Sequence, residues 1–360
     1  MSTIPTPESI DAEFLSGCLH AAGHAGVTVR GFRQTRIGTG QIGLCVRFEL
    51  DLEGDDPDAP RSLIGKFPSD DPTSRQTGVQ LRSYLKEVHF YRDLQQRLSI
   101  STPRCYYADI DGEGPESLVL LEDLAPGVQG DQLAGCTPEV ARAAVGQLVG
   151  LHAPSWNDPS LRGIEWLGEP SAPAVQLGRA LYQAQLPGFL ERFGPHLEPD
   201  ERDIIERAGR FATPESPPFG QSDGPLSLVH VDYRLDNLLI DERLSPPRIS
   251  AVDWQSITLG NPLSDVAYFI GAGLLPEDRR GCEREIVGAY HEALGKHGVT
   301  DYPWTDCWRD YRRGAFAGFA VTVIASMMVV RTERGDEMFV AMARRHSRHA
   351  LDLDGDEFLD

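Results

Sequence analysis

Apolar residues recur at helical spacing over residues 8–22, where Ile10, Phe14, Leu15, Leu19 and Ala22 share one side, and this predicts an opening helix. The period then changes. VTVRGF (27–32), LCVRFELDL (44–52) and SLIGKF (62–67) read as short strands, and the acidic EGDDPDAP (53–60) between the last two reads as an exposed turn. Helical spacing returns over 79–98 through Leu81, Leu85, Val88, Tyr91 and Leu94. SLVLLEDL (117–124) is a further strand, closed by acids and then by Ala125-Pro126-Gly127. Pro126-Gly127 marks the boundary expected between a small strand-rich lobe, 1–125, and a larger, mainly helical lobe, 126–360.

Within the second stretch, 138–153 reads as a helix and 170–212 as helices broken by prolines. A proline-rich loop, TPESPPFGQSDGP, follows. LSLVHVDY (226–233) and NLLID (237–241) are apolar runs flanking a polar turn, RISAVDW (248–254) is a third short strand, and from 276 onward the pattern is helical again. The uncharged stretch Gly314 to Val330 sits between Arg312-Arg313 and Arg331. At 17 residues, with Gly, Ser and Thr inside it, it reads as a buried helix rather than a membrane span. No repeat recurs at a fixed period.

Composition narrows the function classes. A net charge of -20 argues against nucleic acid or an anionic membrane as a standing partner. The six cysteines are scattered without a CxxC pair, which fits neither a zinc site nor a disulfide framework. MSTIPTPESIDAEF carries acids where a signal peptide needs basic and apolar residues, so a cytoplasmic location is expected. Nothing in the sequence sets the oligomeric state.

The strongest chemical signal is His230-Val231-Asp232-Tyr233-Arg234-Leu235-Asp236-Asn237, an HxDxxxxN. At this chain's composition about 0.007 such matches arise by chance. A tight loop brings an Asp and an Asn five residues later to one spot, where Asp232 can accept a hydrogen bond from an attacking hydroxyl and Asn237 offers a neutral oxygen to Mg2+. The bland alternative is a polar turn between strands. Asp253 ends the apolar run RISAV, and a carboxylate there needs a partner. A divalent ion shared with Asn237 is one, and a plain helix-capping role is the alternative. Gly38-Thr39-Gly40-Gln41-Ile42-Gly43 is a GxGxxG leading into an alternating strand rather than a helix. That context favours a flap over nucleotide phosphates against a dinucleotide fold, with an ordinary hairpin turn still open. The chain has 31 Arg and 3 Lys, so Lys66 inside an apolar strand stands out. A compact ammonium suits a point contact with phosphates, and Glu87 on the next helix is a counter-charge; a snorkelling Lys66 and a surface Glu87 are the alternatives. Asp265, before an apolar helix, reads as a helix cap or a brace for the loop.

These residues in order resemble the aminoglycoside phosphotransferase-like branch of the kinase superfamily. In particular they look like phosphotransferases related to ecdysteroid kinase-like proteins, and like the phosphotransferase domain fused to some acyl-CoA dehydrogenases. The resemblance runs from about residue 35 to about 330. It rests on GTGQIG, LIGKF, KEVHFYRDL, VLLEDL, LVGLHAPSW, HVDYRLDNLLI, VDWQ and GNPLSDVAYF. It implies an α+β, bilobal, protein-kinase-like fold: a nucleotide-binding lobe (1–125) with a small antiparallel sheet and one helix, and a helical lobe (126–360) holding the catalytic loop and acceptor pocket. It implies an ATP- and Mg2+-dependent phosphotransferase acting on the hydroxyl of a small molecule. By the same resemblance Asp232 is the catalytic Asp, Asn237 and Asp253 hold Mg2+, Lys66 touches the phosphates under Gly38, Gly40 and Gly43, and Glu87 holds Lys66. The backbone of Glu122 and Leu124 meets the adenine. Val231 stands where glycine is common in this branch. Only eleven residues separate Asp253 from Asp265 and no Ala-Pro-Glu follows, which leaves no room for a peptide-docking segment.

Rival motifs are weaker. Gly220-Gln221-Ser222-Asp223-Gly224 matches GxSxG, but ESPPF precedes it and Pro225 follows, whereas a nucleophile elbow needs a strand and then a helix. A non-catalytic nucleotide-binding protein on the same fold is the alternative function, opposed by the presence of base, metal ligands and lysine together. Aromatics such as Trp156, Trp166, Tyr182 and Trp304 are candidates for an apolar acceptor pocket, although such residues are more often core.

Overall fold

The computed structural model describes residues 4–38, 42–168, 171–210 and 224–359. Contacts divide the chain into two compact units: Met1–Arg97 with Thr102–Pro126 and Val252–Ser256, and Leu98–Ser101 with Gly127–Ala251 and Ile257–Asp360.

The first unit opens on α1 (Ala12–Ala21), capped by Asp11, whose side chain accepts from the Phe14 amide. β1 (Val27–Ile37), β2 (Gly43–Gly54) and β3 (Ser62–Pro68) follow, then α2 (Pro72–Gln80), α3 (Ser83–His89), β4 (Cys105–Ile110) and β5 (Ser117–Glu122). The five strands make one antiparallel sheet in the order β1-β2-β3-β5-β4. Alternation on β2 puts Leu44, Val46, Phe48 and Leu50 inside, where they join Leu15 and Leu19 of α1 with Leu63, Leu118 and Leu120. The helical run over 79–98 is not continuous. Arg82 takes a left-handed backbone, φ 56°, which interrupts the i→i−4 ladder and separates α2 from α3. Leu81, placed by periodicity on the apolar side, is consequently exposed. After His89 the chain widens into a π turn, Phe90–Leu94. α3 is the helix that carries Glu87 against the sheet; α1 and α2 are additional to it. Residues 252–256 group with this unit because Trp254 stacks flat on Phe90, with ring centroids 3.8 Å apart and planes 6° from parallel.

The second unit holds β6 (Val128–Gln129), α4 (Pro138–His152), α5 (Ala172–Phe193), α6 (Pro199–Arg210), β7 (Ser227–Val229), β8 (Leu238–Asp241), β9 (Arg248–Ala251), β10 (Thr258–Gly260), α7 (Leu263–Gly273), α8 (Pro276–Lys296), α9 (Trp304–Gly314), α10 (Ala317–Met328) and α11 (Glu333–Asp352). Short ladders β6-β8-β9 and β10-β7 frame the HxDxxxxN loop, which lies between β7 and β8. α7 is buried along almost its whole length, as the apolar run that follows Asp265 requires. The uncharged stretch 314–330 is split between the end of α9 and α10. Gly314 sits so close to the Leu263 carbonyl that a Cβ there would lie 2.7 Å from it. No helix among the described residues is long and apolar enough to cross a membrane.

Candidate active site

In the first unit β3 places Lys66 beside Cys45 of β2, on the face of the sheet opposite the one that buries Leu63, Phe67, Leu44 and Val46. Its ammonium donates to Glu87 Oε1 and, at 2.8 Å, to Asp253 Oδ1. Burial pulls the Lys66 pKa down, but Asp253 and Glu87 outweigh it and hold the amine well above the ordinary lysine value. Burial pushes Glu87 up, and its contacts with Lys66 and the Trp254 amide offset only part of that rise. Asp253, two residues beyond β9, adopts a left-handed backbone with φ 69°, and its Oδ2 accepts from the Gln255 side-chain amide at 3.1 Å. Three residues far apart in sequence thus bring one largely shielded cation between two carboxylates.

At the end of β5, the Glu122 amide donates to the Arg104 carbonyl at 2.8 Å, and Glu122 Oε2 accepts the Arg104 amide. Leu124 lies two residues beyond the strand and is half-buried. Between them Asp123, which sequence reasoning passed over, is clamped by Arg47 (2.7 and 3.2 Å) and the Ser62 hydroxyl (2.8 Å). Gly38 follows β1 with φ +72°, a turn that suits glycine, and Gly43 opens β2. Gly40 lies outside the described residues, as do residues 220–223 of the GxSxG match.

In the second unit Asp232 is the most heavily donated carboxylate of the loop. Oδ1 accepts the Tyr268 hydroxyl at 2.8 Å, Oδ2 accepts Asn237 Nδ2 at 2.9 Å, and Arg234 Nε lies 3.0 and 3.2 Å from the two oxygens. Asn237 Nδ2 also bonds the Asp232 carbonyl at 2.8 Å. This fixes the amide nitrogen on the aspartate and turns Asn237 Oδ1 the other way. Arg234 reaches on to Asp236 at 2.8 Å. Asp265 is not the cap of α7, a position held by Pro262. It is buried and accepts the backbone amides of His230 (2.6 Å) and Val231 (2.9 Å), so it braces the loop. His152 of α4 lies 3.5 Å from Asp265 and bonds Tyr290.

The model of the phosphotransferase enzyme family (APH) matches residues 52–314. The chain belongs to that family. The match takes in β3, the loop and α7, and stops where α9 ends. A mouse protein, acyl-CoA dehydrogenase family member 10, is 33% identical over 122 residues, 30% of this chain; the chain spans 11% of that protein's length. Among solved structures, choline kinase from Cryptosporidium parvum Iowa II is similar with a TM-score of 0.54 at 12% identity, covering 96% of each chain. A Ralstonia eutropha JMP134 protein with a provisional aminoglycoside phosphotransferase name has a TM-score of 0.54 at 16% identity, over 95% of this chain and 98% of the other. A GDP complex of aminoglycoside 2'-phosphotransferase-IIIa has a TM-score of 0.50 at 13% identity, over 94% and 99%. At these identities the structures speak for a kinase-like fold alone.

Among the described residues no group of three or more His, Cys, Asp or Glu is placed to hold a metal. Family chemistry needs none: Mg2+ takes one or two protein oxygens and completes its shell with phosphate oxygens and water. Asn237 Oδ1 and the Asp253 carboxylate are oxygen donors of the hardness Mg2+ takes. Arg234 and Tyr268 are the site residues that sequence reasoning missed. Tyr268 carried a signal, since it stands three residues after Asp265 on the same helix and so shares its face.

Proposed function

We propose that this chain is an ATP- and Mg2+-dependent kinase that moves the γ-phosphate to a hydroxyl of a small molecule. The observation that carries the reading is Lys66 held between Glu87 and Asp253, an arrangement that stability alone does not favour but that presents a fixed ammonium for triphosphate oxygens. In this reading Lys66 contacts the phosphates, Glu87 aims it, and Gly38 and Gly43 stand at the two ends of the flap. The backbone at Glu122 and Leu124 receives the adenine, with Asp123 holding that segment through Arg47 and Ser62. Asn237 Oδ1 and Asp253 hold the metal, which when bound neutralises charge on the triphosphate. Asp232 orients the acceptor hydroxyl. As that oxygen bonds to the γ-phosphorus and the bond to the β-phosphate bridging oxygen breaks, its proton passes to Asp232 and ADP leaves. The spacing of eleven residues from Asp253 to Asp265 favours a small acceptor over a peptide. All six cysteines are free thiols, which fits a cytoplasmic setting.

The test is ADP release by the purified chain with MgATP or MgGTP against a panel of hydroxyl compounds, headed by aminoglycosides and choline after the similar structures and followed by hydroxyacyl thioesters and steroids. One acceptor is expected to raise ADP release at least tenfold, and Asp232→Ala to abolish the rise. A folded chain that binds ATP while no acceptor or water reaction depends on Asp232 would instead favour a nucleotide-binding protein without catalysis.

A further inference from the structure

Asn237 and Arg234 reach Asp232 from its own loop. Tyr268 comes from elsewhere. It sits on α7, 36 residues on in sequence, it is 1% exposed, and its hydroxyl donates to Asp232 Oδ1 at 2.8 Å. One turn earlier on that helix Asp265 accepts the amides of His230 and Val231. α7 therefore grips three consecutive residues at two points: the backbone of 230 and 231 through Asp265, and the carboxylate of 232 through Tyr268.

Behind Tyr268 the packing is unusual. The His346 ring of α11 lies against the tyrosine ring, with centroids 5.3 Å apart and planes 13° from parallel. His346 is fully buried, and neither ring nitrogen has a hydrogen-bond partner among the described residues. Its surroundings are shaped to admit it. A Cβ on Gly318 of α10 would lie 2.2 Å from the ring, and one on Gly271 of α7 would lie 2.9 Å from it. Unmet buried nitrogens destabilise a fold, so stability alone favours an apolar ring at this position. What the imidazole does meet is the face of the Tyr268 ring.

We infer that Tyr268 is a positioning residue for phosphoryl transfer, fixing the orientation of the Asp232 carboxylate, and that His346 holds its ring in place. The inference rests on the reading of Asp232 as the group that orients the acceptor hydroxyl. A carboxylate has a soft terminal torsion. With donors on both oxygens from the loop and from a buried helix it has one orientation, and without the tyrosine hydroxyl its Oδ1 is held, among the described residues, only by Arg234, a side chain shared with Asp236.

The experiment follows ADP release from MgATP with water as the attacking hydroxyl, so no acceptor need be known. Tyr268→Phe, which keeps the ring and removes one oxygen, is expected to lower kcat about 10- to 100-fold and to leave KM for ATP within about twofold. His346→Ala is expected to lower kcat to a similar degree, His346→Phe to recover most of that loss, and the double variant Tyr268→Phe/His346→Ala to be no slower than Tyr268→Phe alone. Crystals of Tyr268→Phe supply an arm that needs no turnover: the Asp232 carboxylate is expected to turn away from its present orientation. A kcat within twofold of the parent, or an unmoved carboxylate, overturns the inference. If Asp232→Ala is inactive while Tyr268→Phe is fully active, this inference fails and the proposed function stands. If Asp232→Ala hydrolyses ATP at the parent rate, it is the proposed function that fails.

Discussion

Val231 has φ 72°, in the left-handed region that β-branched residues avoid. It lies between β7 and Asp232 and is half-buried. Holding a side-chain-bearing residue there costs about 1–2 kcal/mol, which Val231→Gly would relieve. Against that gain, glycine gives the unfolded chain extra freedom worth about 1 kcal/mol, and a half-buried valine contributes about 1 kcal/mol of apolar burial. These nearly cancel, so Val231→Gly is expected to change stability by less than about 1 kcal/mol. Val229→Gly, two residues earlier in β7, makes the contrast. Val229 is 3% exposed and lies in an ordinary strand, so the same substitution loses about 2–3 kcal/mol of burial and about 1 of chain entropy with no strain to recover. Urea unfolding of both variants should separate their free energies by about 3 kcal/mol with equal m-values. Equal losses would refute the argument that the loop stores strain at Val231. Because Asp265 still holds the amides of 230 and 231, Val231→Gly should also keep most of its ADP release.

Two further perturbations address the buried charges. Lys66→Met leaves Glu87 and Asp253 without their cation and should cost about 3–5 kcal/mol near neutral pH. The folded pKa of Glu87, already raised by burial, then rises further. Between the unfolded carboxylate value and that raised value the native state keeps a proton the unfolded state has lost, so the variant loses stability as pH rises and the gap to the parent narrows on acidification. Urea midpoints from pH 5 to 8 check this, and a gap independent of pH contradicts it. Asp265→Asn sets an amide NH2 or a weaker acceptor against two buried backbone amides. It should destabilise by about 2–3 kcal/mol and lower kcat more than it raises KM for ATP, measured by unfolding and by steady-state ADP release.

Much of this was legible in the residues because the signals are local. Alternation on LCVRFELDL and SLIGKF locates β2 and β3, and the HxDxxxxN spacing brings Asn237 onto Asp232 within one loop. The scarcity of lysine among arginines singled out Lys66 in its apolar strand, and a following helix supplied Glu87. What escaped depends on the third dimension or on a single torsion. The Arg82 break is one left-handed residue inside a periodic run. β4 went unread because CYYADI carries no alternation, and all six of its residues are only partly buried. Arg234, Tyr268 and His346 drew no reading from the sequence, since stacking between α7 and α11 joins residues 78 positions apart.

The first unit is discontinuous in sequence, and this limits how the chain can be cut. A fragment ending at residue 126 would lack Asp253 and Trp254, leaving Lys66 one carboxylate short and one face of Phe90 bare to water. A version of the first unit intended for separate expression would therefore have to carry residues 252–256 with it, through a linker or a rearranged chain order. Splitting the gene at the proline-glycine junction would yield two sticky, incomplete halves.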